Sequence, residues 1–246
     1  RTTATATVTV SDVYNETRQN ITVNVIDVDD EAPVFTSAAT FSAAENQTSI
    51  GTVTATDSDS SSITFTVSGS ELAITPGGVL SFKTAADYET KPTYTATVTA
   101  SDGTNTETQA ITVNVSDAND NAPIIESSPV FSAVENQTSI GTVTATDADS
   151  SSITFTVSGS ELAITSGGVL SFASAPDYET KASYTATVTA SDGTNTTTQA
   201  ITVNVTNVND NSPVFTSSAT FSAAENQTSI GTVTATDSDS SSITFT

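Results

Sequence analysis

The chain has 246 residues, of which 28 are Asp or Glu and 5 are Lys or Arg, so its formal net charge at pH 7 is −23. This balance argues against nucleic acid and anionic membrane surfaces as partners, because both attract basic proteins. Cys and His are absent, which excludes disulfides, thiolate sites and Ser–His catalysis. No apolar run approaches the roughly 18 residues of a spanning helix, so we predict no membrane insertion.

Apolar residues alternate with Thr along much of the chain, as in Ile63–Val67, Tyr94–Ala100 and Ile111–Val115. A period of two in residues rich in Val, Ile and Thr predicts strands with one buried face. Between residues 34 and 117, strands are predicted near 39–45, 51–57, 63–68, 72–75, 78–82, 93–101 and 108–116. Seven short antiparallel strands at this spacing indicate a two-sheet Greek-key sandwich. Its predicted core consists of Val53, Ile63, Phe65, Leu72, Ile74, Leu80, Phe82, Tyr94, Val98, Ile111, Val113 and Val115.

The sequence repeats with a period of 90 residues: Asp57, Asp147 and Asp237 are equivalent, and residues 41–56 and 221–236 are identical. Such a period indicates a tandem array in which each complete repeat buries its own core. We interpret the chain as a piece of a longer, secreted repeat protein. The predicted segments are 1–31, the C-terminal part of a preceding repeat; 32–121 and 122–211, two complete repeats; and 212–246, the N-terminal part of a following repeat.

Acidic residues recur at fixed positions of the repeat. Asp-x-Asp is found at 57–59, 147–149 and 237–239, and Asp-x-Glu at 87–89 and 177–179. Clustered carboxylates repel one another unless a cation lies between them. The donors are all oxygens, which Ca²⁺ prefers, and no imidazole or thiolate is present for Zn or Cu. The motifs therefore predict sites for a hard cation.

Five motifs follow one another in each complete repeat, although Asn207 replaces the leading Asp of the fifth motif in the second repeat. In the first they are Glu45-Asn46, Asp57-x-Asp59, Asp87-x-Glu89, Ala100-x-Asp102-x-Thr104 and Asp117-x-Asn119-Asp120-Asn121-x-Pro123. By these motifs the chain resembles tandem cadherin repeats along its whole length. Near-identical repeats that are rich in Ser and Thr and free of Cys resemble the cadherin-like modules of large bacterial surface adhesins. The resemblance implies an all-β fold of seven-stranded Greek-key, immunoglobulin-like sandwiches joined end to end, with about three Ca²⁺ at each complete junction.

The resemblance also implies the calcium ligands of each junction, and only the central junction has a complete set. That set is Glu45, Asp87, Glu89, Asn119, Asp120, Asn121, Asp147, Asp149 and Asp192. The first junction contributes Asp29, Asp30, Asp57, Asp59 and Asp102. The third contributes Glu135, Asp177, Glu179, Asn209, Asp210, Asn211, Asp237 and Asp239. Asp29 stands where the family has Asn, and both flanking junctions lack some ligands, so we predict weaker binding there.

The charge of the central set suits calcium. About three Ca²⁺ would nearly neutralise its seven carboxylates and leave a charge of about −1. Mg²⁺ fits less well, because it requires small octahedral sites and retains water.

The predicted function is that of a calcium-rigidified, extracellular stalk or adhesion protein at a cell surface, because interchangeable repeats favour length and stiffness. The predicted partners are other repeats of the same protein, together with self-association or cell-surface glycans. Two alternatives stay open: a self-assembling extracellular filament completed by inter-chain strand addition, and a polysaccharide-binding module. Asp87 and Glu89 could be the paired carboxylates of a glycosidase. The same pair recurs in both complete repeats, as expected of a structural motif, so we predict no enzyme activity.

Overall fold

The architecture comes from a computed structural model that describes residues 3–59, 62–149, 152–239 and 242–246. The described residues form strands, turns and loops. No helix long and apolar enough to cross a membrane is found among them. The chain divides into two compact units: unit 1 is Arg1–Ala118 and unit 2 is Asn119–Thr246.

Unit 1 is a sandwich with a hairpin before it. Its strands are β1 (Thr3–Ser11), β2 (Glu16–Asn24), β3 (Val34–Phe35), β4 (Thr40–Ala44), β5 (Ser49–Thr52), β6 (Ala55–Thr56), β7 (Thr64–Val67), β8 (Leu72–Ile74), β9 (Val79–Phe82), β10 (Thr93–Ser101) and β11 (Thr106–Ser116). One sheet has the order β4-β11-β10-β7 and the other has the order β5-β9-β8. β3 pairs with β6, and β1 pairs with β2 as a separate hairpin.

Unit 2 contains an equivalent sandwich. Its strands are β12 (Ile124–Ile125), β13 (Val130–Val134), β14 (Ser139–Thr142), β15 (Ala145–Thr146), β16 (Thr154–Val157), β17 (Leu162–Ile164), β18 (Val169–Phe172), β19 (Ser183–Ser191), β20 (Thr196–Thr206), β21 (Val214–Phe215) and β22 (Ala235–Thr236). The sheets are β13-β20-β19-β16 and β14-β18-β17, with the short pairs β12–β15 and β21–β22. The predicted all-β, two-sheet fold is confirmed.

The core lies between the two sheets and agrees with the alternation of the sequence. In unit 1, every predicted core residue belongs to it: Ile63, Ile74 and Tyr94 are half-buried against it, and the others are buried. Full burial of such a side chain contributes about 1.5–3 kcal/mol. Three small residues that were not predicted, Ala43, Ala86 and Ala100, are buried as well.

Two details of the strand prediction are wrong. β4 runs parallel to β11, with Thr40 opposite Thr112. The rest of the repeat connects these two strands, and only neighbours joined by a tight hairpin must be antiparallel. The strand predicted at 51–57 is split, because the Val53 N–H donates to the Gly78 carbonyl at 2.8 Å. The chain leaves β9 at this point, and the next strand, β6, pairs with β3.

The two partial segments keep the pairing of a complete repeat. In the β1–β2 hairpin Thr3 lies opposite Asn24, just as Thr93 lies opposite Asn114 in β10–β11. Residues 212–246 retain the β21–β22 pair, which is equivalent to β3–β6. Residues 220–224, equivalent to β4, form no strand, since this segment does not include a counterpart of β11 for them to join.

Candidate metal centres

The first carboxylate cluster lies in unit 1 around Glu45, which directly follows β4. Glu45 is 5% exposed, and its carboxylate accepts the N–H groups of Tyr88 at 2.8 Å and Ala118 at 2.7 Å. One carboxylate oxygen from each of Glu45, Asp87 and Glu89 lies within 4.8 Å of the other two. Three oxygens this close together can share one cation.

Asp87 is held as a carboxylate by its own turn. The Thr90 hydroxyl donates to Asp87 Oδ2 at 2.8 Å, and the Thr90 N–H donates to Oδ1 at 3.0 Å. These donors, the hydroxyl first, lower the pKa of Asp87 below its ordinary value. Hydrogen bonds to the charged form favour it, so Asp87 is ready to bind a cation at neutral pH.

Unit 2 repeats this cluster around Glu135, which is 3% exposed. Its carboxylate accepts the N–H groups of Tyr178 at 2.7 Å and Val208 at 2.6 Å. Oxygens of Glu135, Asp177 and Glu179 again lie within 4.8 Å of one another. In both units the sequence therefore folds the early Glu and the later Asp-x-Glu into one site.

The third junction lies entirely within unit 2. Oxygens of Glu179, Asp210 and Asp239 lie within 4.8 Å of one another. The Asn211 amide nitrogen donates to Asp239 Oδ1 at 3.0 Å and to Glu179 Oε2 at 3.3 Å. The structure therefore brings predicted ligands from both sides of this linker together.

The electrostatics of this cluster reflect crowded negative charge. Desolvation raises the pKa of Glu179, and the nearby carboxylates of Asp239 and Glu135 raise it further. The pKa of Asp239 is lowered, chiefly because the Asn211 side chain donates to it. A cation between these groups would relieve the repulsion.

The linker half of the first junction lies in unit 1. In Asp29, Asp59 and Asp102, one carboxylate oxygen accepts hydrogen bonds within the described part of the chain and the other does not. Asp59 Oδ2 accepts the N–H groups of Asp30 at 3.0 Å and Glu31 at 3.1 Å. Asp29 Oδ2 accepts the Thr104 hydroxyl at 3.1 Å. Asp102 Oδ1 accepts the N–H groups of the loop that follows it. The other oxygens, Asp29 Oδ1, Asp59 Oδ1 and Asp102 Oδ2, are buried and have no hydrogen bond among the described residues.

The linker half of the central junction lies in unit 2 and has more amide donors. Asp149 Oδ2 accepts the Asn121 N–H at 2.9 Å, and Oδ1 accepts the Asn121 side-chain amide at 3.0 Å. Asp147 Oδ1 accepts the Asp149 N–H at 3.0 Å, whereas its Oδ2 is buried without a hydrogen bond among the described residues. Asp192 Oδ1 accepts two N–H groups of its loop.

The remaining predicted ligands lie beside these groups or on the surface. Asp57 and Asp237 each accept the N–H of the residue two positions later, at 3.0 Å. Asp120 accepts the Asn121 amide at 3.1 Å. Asp30 and Asn209 are exposed. Because the two halves of the central junction belong to different units, their joint coordination of calcium stays a prediction.

Three ion pairs lie among the described residues, and none of them includes a predicted ligand. They are Arg18–Glu16 at 3.2 Å, Lys91–Glu71 at 2.5 Å and Lys181–Glu161 at 2.5 Å. All three use acids outside the recurring motifs. These ion pairs therefore do not neutralise the ligand clusters.

Comparison with known proteins identifies the family. Residues 39–116 match the family model described as "Cadherin domain". The human protein "Cadherin EGF LAG seven-pass G-type receptor 2" is 35% identical over 225 residues, covering 80% of this chain and 8% of the relative. The chain carries tandem cadherin repeats. The chain spans about 8% of that relative's length. The family assignment therefore applies to these repeats and not to a whole protein.

Solved cadherin structures share the fold of these repeats. Mouse cadherin-23 EC22-24 is 27% identical, with a TM-score of 0.68 over 85% of this chain and 78% of that one. The extracellular domain of protocadherin gammaB4 is 26% identical, with a TM-score of 0.76 over 96% of this chain and 43% of that one. These neighbours confirm the immunoglobulin-like sandwich for the cadherin repeats of this chain.

The ligand sets of these cadherin repeats fit Ca²⁺. A buried carboxylate oxygen that lacks a hydrogen bond is costly, and coordination to a hard cation removes that cost. Asp29 Oδ1, Asp59 Oδ1, Asp102 Oδ2 and Asp147 Oδ2 are all in this position. Ca²⁺ accepts oxygen ligands in flexible geometry, which suits this mixture of carboxylates, amides and carbonyls.

Sequence reasoning missed one residue of the site, Asn195, together with its counterpart Asn105. The Asn195 amide nitrogen contacts Asn119 and Asn121 of the linker as well as Asp192. Asn105 likewise donates to the carbonyl of Glu31 at 3.0 Å. The signal was available, because Asp-Gly-Thr-Asn recurs at 102–105 and 192–195.

Proposed function

We propose that these cadherin repeats bind Ca²⁺ at their junctions and form a calcium-stiffened part of an extracellular adhesion protein. The buried carboxylate oxygens without hydrogen bonds carry this proposal. Without a cation they destabilise the linker, and a cation that binds only the ordered linker stabilises it by mass action. The likeness to cadherins supports calcium as that cation.

The proposed coordination uses groups from both sides of each linker. At the central junction, Glu45, Asp87 and Glu89 would bind from the preceding repeat, and Asp147, Asp149 and Asp192 would bind from the following one. The linker would complete this set with the side chains of Asn119 and Asp120 and with the backbone carbonyl of Asn121. About three Ca²⁺ per complete junction would nearly neutralise it. Sites in extracellular modules often bind with dissociation constants of about 10⁻⁴–10⁻³ M, which suits the calcium concentration outside cells.

The proposed role is mechanical rather than catalytic. Residues 41–56 and 221–236 are identical, and interchangeable repeats favour an extended shaft over a unique recognition face. We place the protein at a cell surface, where the repeats contact one another and the whole protein self-associates or binds glycans. A bacterial-type origin stays a prediction.

Small-angle scattering of the 246-residue chain across a calcium titration tests the proposal. We expect the maximum dimension to increase and then to saturate with calcium. Asp120→Ala should weaken this response. The matched control is Glu16→Gln, which removes one exposed charge at the start of β2, outside the predicted ligand set. Unchanged dimensions of the wild-type chain in calcium and in chelator would refute calcium stiffening.

A filament built by strand addition stays the second candidate: the β1–β2 hairpin of one chain would complete the partial repeat at 212–246 of a second chain, so that chains would join head to tail. Sedimentation across a concentration series distinguishes the two: a filament grows with concentration, and a constant monomer mass would exclude it.

A further inference from the structure

Four oxygen atoms of the central linker site converge on one side-chain nitrogen. Asn195 Nδ2 lies 2.9 Å from the Asn121 carbonyl oxygen, 3.1 Å from Asn119 Oδ1, 3.2 Å from Asp192 Oδ2 and 3.4 Å from the Asn119 carbonyl oxygen. An amide oxygen in this position would face four other acceptors, so the nitrogen belongs there. The amide has two N–H groups for these four acceptors.

This arrangement of oxygens resembles the surroundings of a cation. Ca²⁺ takes carboxylate, amide and backbone carbonyl oxygens together, and all three kinds surround Asn195 Nδ2. Three residues supply these oxygens. Asn119 and Asp192 are predicted calcium ligands through their side chains, and Asn121 is one through its backbone carbonyl. The amide nitrogen therefore lies where oxygen ligands converge.

Unit 1 has the same arrangement at the first linker. Asn105 Nδ2 donates to the carbonyl oxygens of Glu31 at 3.0 Å and Asp29 at 3.4 Å. The backbone of both Asn residues is fixed in the same way, because the preceding Asp accepts its N–H at 2.6 Å. The same contact thus recurs in both units at equivalent positions.

We propose that Asn195, and likewise Asn105, is a positioning residue whose amide occupies the place of a calcium ion when the site is empty. The amide holds the linker oxygens together without the ion and is displaced when calcium binds. This inference rests on the proposed calcium binding. It assigns to Asn195 a role opposite to that of a ligand, because calcium would take over the oxygens that the amide contacts.

The sign of the effect follows from linkage. A contact made only in the free state opposes binding, since a ligand shifts an equilibrium only through its different affinity for the two states. Removing the amide by Asn195→Ala should therefore tighten calcium binding at the central linker. The loss of one ordinary hydrogen bond corresponds to roughly three- to tenfold in affinity. The same substitution should loosen the linker when calcium is absent.

Hydrogen exchange with mass spectrometry measures both effects on the 246-residue chain. In chelator, the peptide covering residues 117–123 should exchange faster in Asn195→Ala than in the wild-type chain. In a calcium titration, the midpoint of protection for that peptide should move to lower calcium. Asn105→Ala should produce the same pair of changes at residues 27–33.

The matched control is Asn204→Ala, which makes the same chemical change at an exposed position of β20 in the same unit. It should alter neither measurement. General destabilisation by Asn195→Ala would weaken calcium binding, so a tighter midpoint cannot arise from damage to the fold.

The outcomes separate this inference from the proposed function. A midpoint for Asn195→Ala that is unchanged or shifted to higher calcium would overturn the inference. If calcium protects neither linker of the wild-type chain, the proposed function itself fails.

Discussion

Replacing Glu135 by Gln tests how strongly one buried carboxylate stabilises unit 2. Glu135 Oε2 accepts the Tyr178 N–H at 2.7 Å, and Oε1 accepts the Val208 N–H at 2.6 Å. Gln has the same size but only one acceptor oxygen, and its NH₂ group would face the second N–H. One backbone donor therefore loses its partner at a site that is 3% exposed.

The expected loss of stability combines two opposing effects. A hydrogen bond to a charged acceptor contributes about 1.5–3 kcal/mol, and an unsatisfied buried donor costs about 1–3 kcal/mol. These figures describe the same event and are not added. Removing the charge also relieves repulsion from Asp177 and Glu179, by about 1 kcal/mol for each of them at this separation with water-like screening. We therefore expect unit 2 to lose about 1 kcal/mol in chelator.

Scanning calorimetry of the 246-residue chain in chelator measures this loss. Glu179→Gln is the control, because it removes a charge from the same cluster without breaking a bond to the buried backbone donors. It should leave the stability of unit 2 unchanged or raise it slightly. Glu45→Gln should repeat the Glu135→Gln loss in unit 1. The reasoning would be refuted if Glu135→Gln matched Glu179→Gln or the wild-type chain.

Three further predictions concern the turn at Gly78, a surface ion pair and the choice of metal. Gly78 has a φ of 88°, and a Cβ there would lie 2.2 Å from the Val53 carbonyl oxygen; Gly78→Ala should therefore cost well over the roughly 1–2 kcal/mol expected for left-handed backbone alone. Gly69→Ala, with a φ of 85° and open space around the Cβ, should show only that smaller cost in urea unfolding. Glu161→Gln breaks the pair with Lys181, whose side chains are 55% and 41% exposed, so the free energy of unfolding should change by less than about 1 kcal/mol; a larger loss would show that this pair is not screened by solvent. Mg²⁺ at the same concentration should not reproduce the calcium-induced increase in the maximum dimension measured by scattering, because Mg²⁺ retains its water. An equal response to both ions would mean that charge screening alone stiffens the linkers.

The alternation of the sequence was sufficient to predict the sheets and most of the core. Val98 and Ile111 follow a strict period of two and are buried as expected. Ala43 and Ala100 were missed, because a small apolar residue in a Thr-rich strand carries no strong signal for either face. The parallel pairing of β4 with β11 could not be predicted from local pattern, since it joins residues that lie about 70 positions apart in the chain and depends on how the intervening strands fold.

The acids that form the clusters were predictable, and the groups that orient them were less so. The regular spacing of Glu135 and Asp177 indicated a shared site, and the structure brings them together. The role of the Asn195 amide depends on a loop folding back over a linker 76 positions away. No pattern of charge or polarity marks such a contact, although the recurrence of Asn at the same place in both repeats is a usable signal.

The parallel pairing of β4 with β11 determines how a repeat responds to tension. Its five register pairs run from Thr40 opposite Thr112 to Ala44 opposite Ser116. Force that enters near the start of β4 and leaves near the end of β11 pulls these strands past each other along their length. The evenly spaced hydrogen bonds of a parallel pair then carry the load together instead of opening one after another. Each repeat in a tandem array would therefore resist unfolding under tension until the β4–β11 pair separates.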